Sequence, residues 1–98
     1  MPRKITVVNS GEVFKFAEKN YKISWNKCCD IFHRGGILCD DEGKDRELEL
    51  QDVQANANFL KEKRPAMYKN LDEKILGYDV VIDFMKQNNL AQMRILND

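Results

Sequence analysis

Four residues of the types that bind zinc lie close together in the sequence. Cys28 and Cys29 are adjacent, His33 follows four residues after Cys29, and Cys39 lies six residues beyond His33. Thiolates and imidazole are the ligands that zinc prefers, and a structural site needs four of them. However, there is no Cys-x-x-Cys pair, and adjacent helical residues point in directions about 100° apart. We therefore interpret Cys28 and Cys29 as small apolar core residues and expect neither a metal nor a cofactor.

Cys29 and His33 could also form a nucleophile and its base, because residues four apart share one face of a helix. That chemistry further requires an activated thiolate and donors that stabilise an oxyanion. The chain contains no Gly-rich phosphate loop, no Gly-x-Ser-x-Gly elbow and no dinucleotide-binding fingerprint. With a single histidine in 98 residues, we predict that the protein is not an enzyme, and we assign no catalytic residue.

Length and composition indicate one small domain, residues 1–98, that folds without disulfides. No apolar run approaches the roughly 20 residues that a membrane span needs, and the first residues lack a signal-peptide cleavage site. Three cysteines, two of them adjacent, disfavour a disulfide framework and fit reduced thiols. We therefore expect a soluble cytoplasmic protein with no membrane partner.

Hydrophobic periodicity, caps and turn residues divide the chain into strands and helices. Ser10 and Ser24 are the predicted caps of the first two helices, and Gly35-Gly36 and Asn88-Asn89 are predicted helix ends. The predicted strands are Lys4–Val8, Ile37–Cys39, Arg46–Leu50 and Gln92–Leu96, and the predicted helices are Ser10–Tyr21, Ser24–Arg34, Asp52–Arg64 and Asn70–Lys86.

This order predicts an α+β fold, a small antiparallel or mixed sheet of about four strands with helices packed on one face. The two middle strands, joined by a short loop with one glycine, are expected to form a β-hairpin. If each pair of helices counts as one crossover, the order is that of a ferredoxin-like β-α-β-β-α-β unit.

The net charge is zero, but the charges are unevenly distributed along the chain. Residues 1–36 carry a net charge of +4, and residues 37–56 carry −5. Such runs are usually solvated surface. The alternative is a basic patch and an acidic patch that steer binding partners.

A protein partner is the first interpretation of this pattern. Phe16 and Phe84 fall off the main apolar stripes of their helices, so we expect both rings to be exposed contact anchors. The acidic loop lacks the alternation of a calcium site and is either a solvated turn or a lobe that meets a basic partner. The predicted protein-contact residues are Phe16, Asp40, Asp41, Glu42, Asp45 and Phe84.

Small accessory proteins of phages and mobile elements share this general profile. By this analogy we expect a binding or regulatory protein that acts by macromolecular contact, in its narrower form an inhibitor of a host defence protein. A homodimer formed by pairing of edge strands is a further option.

Nucleic acid is the alternative partner, because residues 14–32 have the outline of a helix-turn-helix motif. Apolar residues occur at the spacing of two helices that cross over a tight turn, although the turn has Tyr21-Lys22 where glycine is usual. The apolar positions are Ala17, Tyr21, Ile23, Cys28 and Ile31. The predicted nucleic-acid contacts are Lys15, Lys19, Lys22, Trp25, Asn26 and Lys27.

The absence of paired ligand motifs predicts that the purified protein carries no stoichiometric zinc. Elemental analysis of protein prepared without chelator checks this, since a structural zinc would be retained at neutral pH. About one zinc per chain would contradict the interpretation of the cysteines as core residues.

Overall fold

A computed structural model describes residues 5–39, 45–62 and 71–97 of the chain. Within these ranges it contains three strands and four helices, so the protein is an α+β protein with a mixed sheet. In chain order the elements are β1 (Thr6–Asn9), α1 (Ser10–Tyr21), α2 (Trp25–Cys28, continued as a π-helical segment over Cys29–Arg34), β2 (Arg46–Glu49), α3 (Leu50–Glu62), α4 (Leu71–Gln87) and β3 (Gln92–Leu96).

Strand β3 is the centre of the sheet, which has the order β1-β3-β2. β1 pairs with β3 in parallel, with Val8 opposite Ile95, and β2 pairs with β3 antiparallel, with Leu48 opposite Met93. These four side chains are buried on one face of the sheet. Side chains alternate between faces along a strand, so the neighbouring residues lie on the exposed face. The exposed residues are Val7, Glu47 and Arg94.

The predicted hairpin is wrong, because Ile37–Cys39 is not a strand and β2 pairs with β3 instead. All three side chains of this segment are buried, whereas a strand with one solvated face would alternate. The backbone N–H groups of Ile37 and Leu38 both donate to the carbonyl oxygen of Phe32, at 3.1 Å. The segment therefore caps the π-helical end of α2. Residues 40–44 of the predicted loop lie outside the described residues.

The ferredoxin-like order is not what the described residues form, since their sheet has three strands rather than about four. The loss of the hairpin removes one strand, and α3 follows β2 at once because Leu50 begins the helix instead of ending the strand. The predicted last strand, Gln92–Leu96, is confirmed. None of the described helices is long and apolar enough to cross a membrane.

Helix α1 begins one residue earlier than the predicted cap implies, because its N-cap is Asn9 and not Ser10. Asn9 is the N-cap, and its backbone N–H donates to the Glu12 carboxylate at 2.9 Å. Ser10 is therefore the first helical residue and is buried. Ser24 is the N-cap of α2 as predicted, because its hydroxyl oxygen accepts a hydrogen bond from the N–H of Lys27 at 3.3 Å.

Helix α4 supplies the largest apolar face to the core, with Val80, Val81, Phe84 and Met85 all buried. Its end before Asn88-Asn89 is confirmed, and Asn89 takes the left-handed conformation with a φ of 55°. α3 packs along α4, and its outer end forms a smaller cluster with it. That cluster contains Leu60, Leu71, Ile75 and Tyr78.

Gly77 of α4 lies directly against α2. A Cβ atom at this position would be 2.5 Å from Cδ1 of Ile37 and 2.6 Å from Cγ2 of Ile31. Both isoleucines are buried and cannot move aside without displacing other core side chains. The helix therefore requires glycine here for its close approach to α2.

We expect Gly77→Ala to lower the free energy of unfolding by about 1 kcal/mol, because overpacking (about 1–3 kcal/mol) exceeds alanine's helix-propensity gain of about 1 kcal/mol. Urea denaturation followed by circular dichroism measures the change. Gly11→Ala is the matched control, because a Cβ there would be 3.6 Å from the Trp25 ring, an ordinary contact. Equal or greater stability of Gly77→Ala would show that the packing at α4 is looser than described.

Candidate functional site

The turn between α1 and α2 lies where the sequence predicted the turn of a helix-turn-helix motif. Lys22 adopts the left-handed conformation, with φ of 58° and ψ of 33°, that glycine usually supplies in such turns. Its N–H donates to the carbonyl oxygen of Ala17, and the N–H of Ile23 donates to the same oxygen at 3.4 Å. Lysine at this position therefore does not prevent the turn.

The five apolar positions of the motif point into the molecule. Ala17, Ile23, Cys28 and Ile31 are buried. Tyr21 is half-buried, and its hydroxyl donates to the carboxylate of Asp83 on α4 at 2.8 Å. The spacing read from the sequence therefore corresponds to the inner surface of the two helices.

Phe14 of α1 fixes the position of α2. Its ring contacts Trp25 edge-on at 4.9 Å between centroids, stacks on Phe32 at 5.6 Å and lies 5.1 Å from the His33 ring. Trp25 is nevertheless 45% exposed. One edge of the indole is thus held by the core, and the remainder is presented to solvent.

Three exposed lysines follow one side of α1 and its C-cap. Lys15, Lys19 and Lys22 are spaced by four and three residues, so they share a face. No side chain of these three lysines forms an ion pair or hydrogen bond with a described residue. Gly11 is four residues before Lys15 on the same side, and a Cβ atom there would lie 3.6 Å from the Trp25 ring. The N-terminal end of this side of α1 therefore faces the indole.

Asn26 and Lys27 complete the set at the first turn of α2, where both are exposed. The Lys27 ammonium is paired with the Glu73 carboxylate of α4, and this hydrogen bond raises the pKa of the lysine. We name this group of six residues, from α1, its C-cap and the first turn of α2, the basic face. It consists of Lys15, Lys19, Lys22, Trp25, Asn26 and Lys27.

The residues predicted to contact a protein are not brought together in the same way. Phe84 is only 8% exposed, so the expectation that its ring is exposed is wrong. It packs edge-on against Phe16 at 5.5 Å, where α1 crosses α4, and Phe16 is half-buried by this contact. Asp45 is exposed and accepts a hydrogen bond from the N–H of Asn97 at 3.0 Å. Residues 40–42 lie outside the described residues.

The thiols and the histidine have structural partners. Nε2 of His33 contacts Oδ1 of Asn97 at 3.1 Å, and the Cys39 thiol donates to the carbonyl oxygen of His33 at 3.3 Å. Burial raises the pKa of the Cys28 thiol to about 11, so its thiolate is disfavoured at neutral pH. In the part of the chain that the structure describes, no three His, Cys, Asp or Glu residues are placed to hold a metal ion.

Between α2 and the first turn of α4 lies a groove of about 540 Å³, which sequence reasoning missed. Its lining residues come from positions about forty apart in the chain, and only the Asp30–Arg34 spacing was visible as a local signal. The charged residues that line it are Lys27, Asp30, Arg34, Glu73 and Lys74. Lys27 belongs to both the groove and the basic face.

Comparison with protein-family models, with curated proteins and with solved structures finds no match to this chain.

The Tyr21–Asp83 contact predicts a loss of stability at alkaline pH. Burial, and then the hydrogen bond to Asp83, raise the pKa of Tyr21 to about 12. The folded state therefore holds the phenol proton more tightly than the unfolded chain, whose tyrosines titrate near about 10. The stabilisation is complete below pH ~10 and is lost as the pH rises towards ~12.

We expect Tyr21→Phe to show a shallower decline of unfolding free energy across this pH window than the parent protein. Urea titrations at several pH values measure both slopes, and lysine titration is common to the two proteins. Parallel slopes would mean that the folded state does not raise the pKa of Tyr21.

Proposed function

We propose that this chain is a small binding protein that acts by contact with another macromolecule, and that the basic face is its contact surface. The observation that carries the proposal is that Lys15, Lys19 and Lys22 have no charge partner among the described residues and follow a helix that packs against a half-exposed tryptophan. Lysines without an ion-pair partner gain most from an anionic partner. The exposed indole adds apolar contact area.

Nucleic acid is the partner class that this geometry favours. A helix-turn-helix motif places the N-terminal residues of its second helix against base edges, while neighbouring lysines contact phosphates. Asn26 and Lys27 lie at the N-terminal end of α2, and the left-handed Lys22, the Ser24 cap and four buried apolar positions support this proposal. The zero net charge of the chain does not oppose this, because the excess acidic residues lie in residues 37–56.

A protein with an acidic surface is the second candidate, and the exposed Trp25 favours it, since tryptophan is a frequent anchor of protein interfaces. A regulatory protein of the phage inhibitor type, directed at a host defence protein, is the narrower form of this candidate. It would use the basic face rather than the predicted anchors Phe16 and Phe84, because the second of these is buried.

We expect the protein to bind duplex DNA at low salt and to lose affinity steeply as salt rises, as phosphate contacts require. Lys19→Ala should weaken binding to all sequences and reduce the slope of log affinity against log salt by about 1. Fluorescence anisotropy with labelled duplexes measures both quantities. Lys86→Ala is the matched control, because Lys86 is an exposed lysine at the C-terminal end of α4 and does not belong to the basic face.

The absence of binding at every salt concentration would reject nucleic acid as the partner. An affinity capture from cell extract, with and without nuclease, then tests the protein candidate. Capture that resists nuclease and is lost in Lys19→Ala but kept in Lys86→Ala would support a protein partner at the basic face. Capture that neither variant changes would reject the basic face as the contact surface.

A further inference from the structure

The groove between α2 and α4 has an unbalanced charge. The Lys27 ammonium pairs with the Glu73 carboxylate, and Nη1 of Arg34 pairs with Oδ1 of Asp30 at 3.2 Å. Lys74 is the remaining cation of the groove, and its side chain forms no ion pair or hydrogen bond with a described residue. The charged lining therefore carries one positive charge that no side chain of the groove neutralises.

Lys74 lies at the N-terminal end of α4, in the same part of the helix as the carboxylates of Asp72 and Glu73. It is the fourth residue of this helix of 17 residues, and it is half-buried rather than fully solvated. The N-terminal end of a helix carries a partial positive charge, which favours an anion over a cation. An anion in the groove would pair with Lys74 and would also be favoured by this end of α4.

The groove continues from the basic face through a shared residue. Lys27 lines the groove and also stands in the first turn of α2, next to Asn26. A nucleic-acid strand lying across α2 would therefore pass the mouth of the groove. Each backbone phosphate of such a strand carries one negative charge, which matches the single unneutralised positive charge of the lining.

We propose that this groove is a phosphate-binding site and that the phosphate belongs to the backbone of a nucleic-acid strand held on the basic face. The inference rests on the proposed function for the source of the phosphate. The expectation that an anion binds rests on the groove alone. Lys74 is the residue that binds the phosphate, Arg34 and Lys27 flank it, and Glu73 competes with the phosphate for Lys27.

Two variants with opposite expected effects on DNA affinity test the site. Lys74→Gln removes the unpaired charge and is expected to weaken duplex DNA binding by about fivefold or more, as loss of one charge-assisted contact would. Glu73→Gln frees Lys27 and is expected to tighten binding. The Glu73 pair is exposed, so its loss should change stability little. Thermal unfolding of both variants checks that they remain folded.

Lys86→Gln is the control for net charge, because it changes the charge of the same helix outside the groove. Anisotropy at one low salt concentration compares the three variants with the parent protein. Stronger weakening by Lys74→Gln than by Lys86→Gln, together with tightening by Glu73→Gln, supports the proposal. Equal effects of Lys74→Gln and Lys86→Gln would overturn it.

A titration with inorganic phosphate, followed by the amide resonances in NMR, separates the two sources of phosphate. If the parent protein binds no nucleic acid, the proposed function fails. Saturable shifts at Gly35 and Lys74 that are lost in Lys74→Gln would then retain the phosphate site for a free phosphate compound and overturn the backbone source. No nucleic-acid binding and no saturable shifts would overturn the site entirely.

Discussion

The contact of Gly77 with the two isoleucines below it sets the distance between α4 and α2. Ile31 comes from the π-helical segment and Ile37 from the segment that caps it, and both fit against α4 only because Gly77 has no side chain. α4 then continues with its apolar face over the core and turns at Asn89 into the central strand. The groove lies between the same two helices.

The π-helical segment, Cys29–Arg34, carries Ile31, which contacts α4 at Gly77. A π-helix is wider than an α-helix and is rare, and it commonly occurs at functional positions. Here it lies between the first turn of α2, which carries Asn26 and Lys27, and the buried segment Ile37–Cys39. Phe32 within it stacks on Phe14 and accepts two backbone hydrogen bonds through its carbonyl oxygen. The segment therefore links the basic face to the core by direct contacts.

Local patterns predicted the parts of this protein that are themselves local. The helical periodicity of α4, the cap at Ser24 and the alternation in Gln92–Leu96 depend on neighbouring residues, and the structure contains all three. The six residues of the basic face are likewise consecutive or one helical turn apart, so their exposure could be anticipated.

Features that join distant segments could not be read in this way. Phe84 lies off its helix's main stripe but is buried in the core, where Phe16 of α1 packs edge-on against its ring. The pairing of β2 with β3, rather than with Ile37–Cys39, depends on the whole topology. For the same reason the groove, which α2 and α4 form together, had no sequence signal.

The parallel pairing of β1 with β3 joins nearly opposite ends of the described chain, and this has a consequence for how the protein is made. During synthesis β3 emerges after every other described element, so β1 and β2 lack their sheet partner until it appears. α1 and α2, in contrast, contact each other through neighbouring residues and can associate early. The nascent chain therefore contains its lysine-rich helices before it contains β3, the central strand of the sheet. Closing such a long loop is the slow step that contact order predicts for folding.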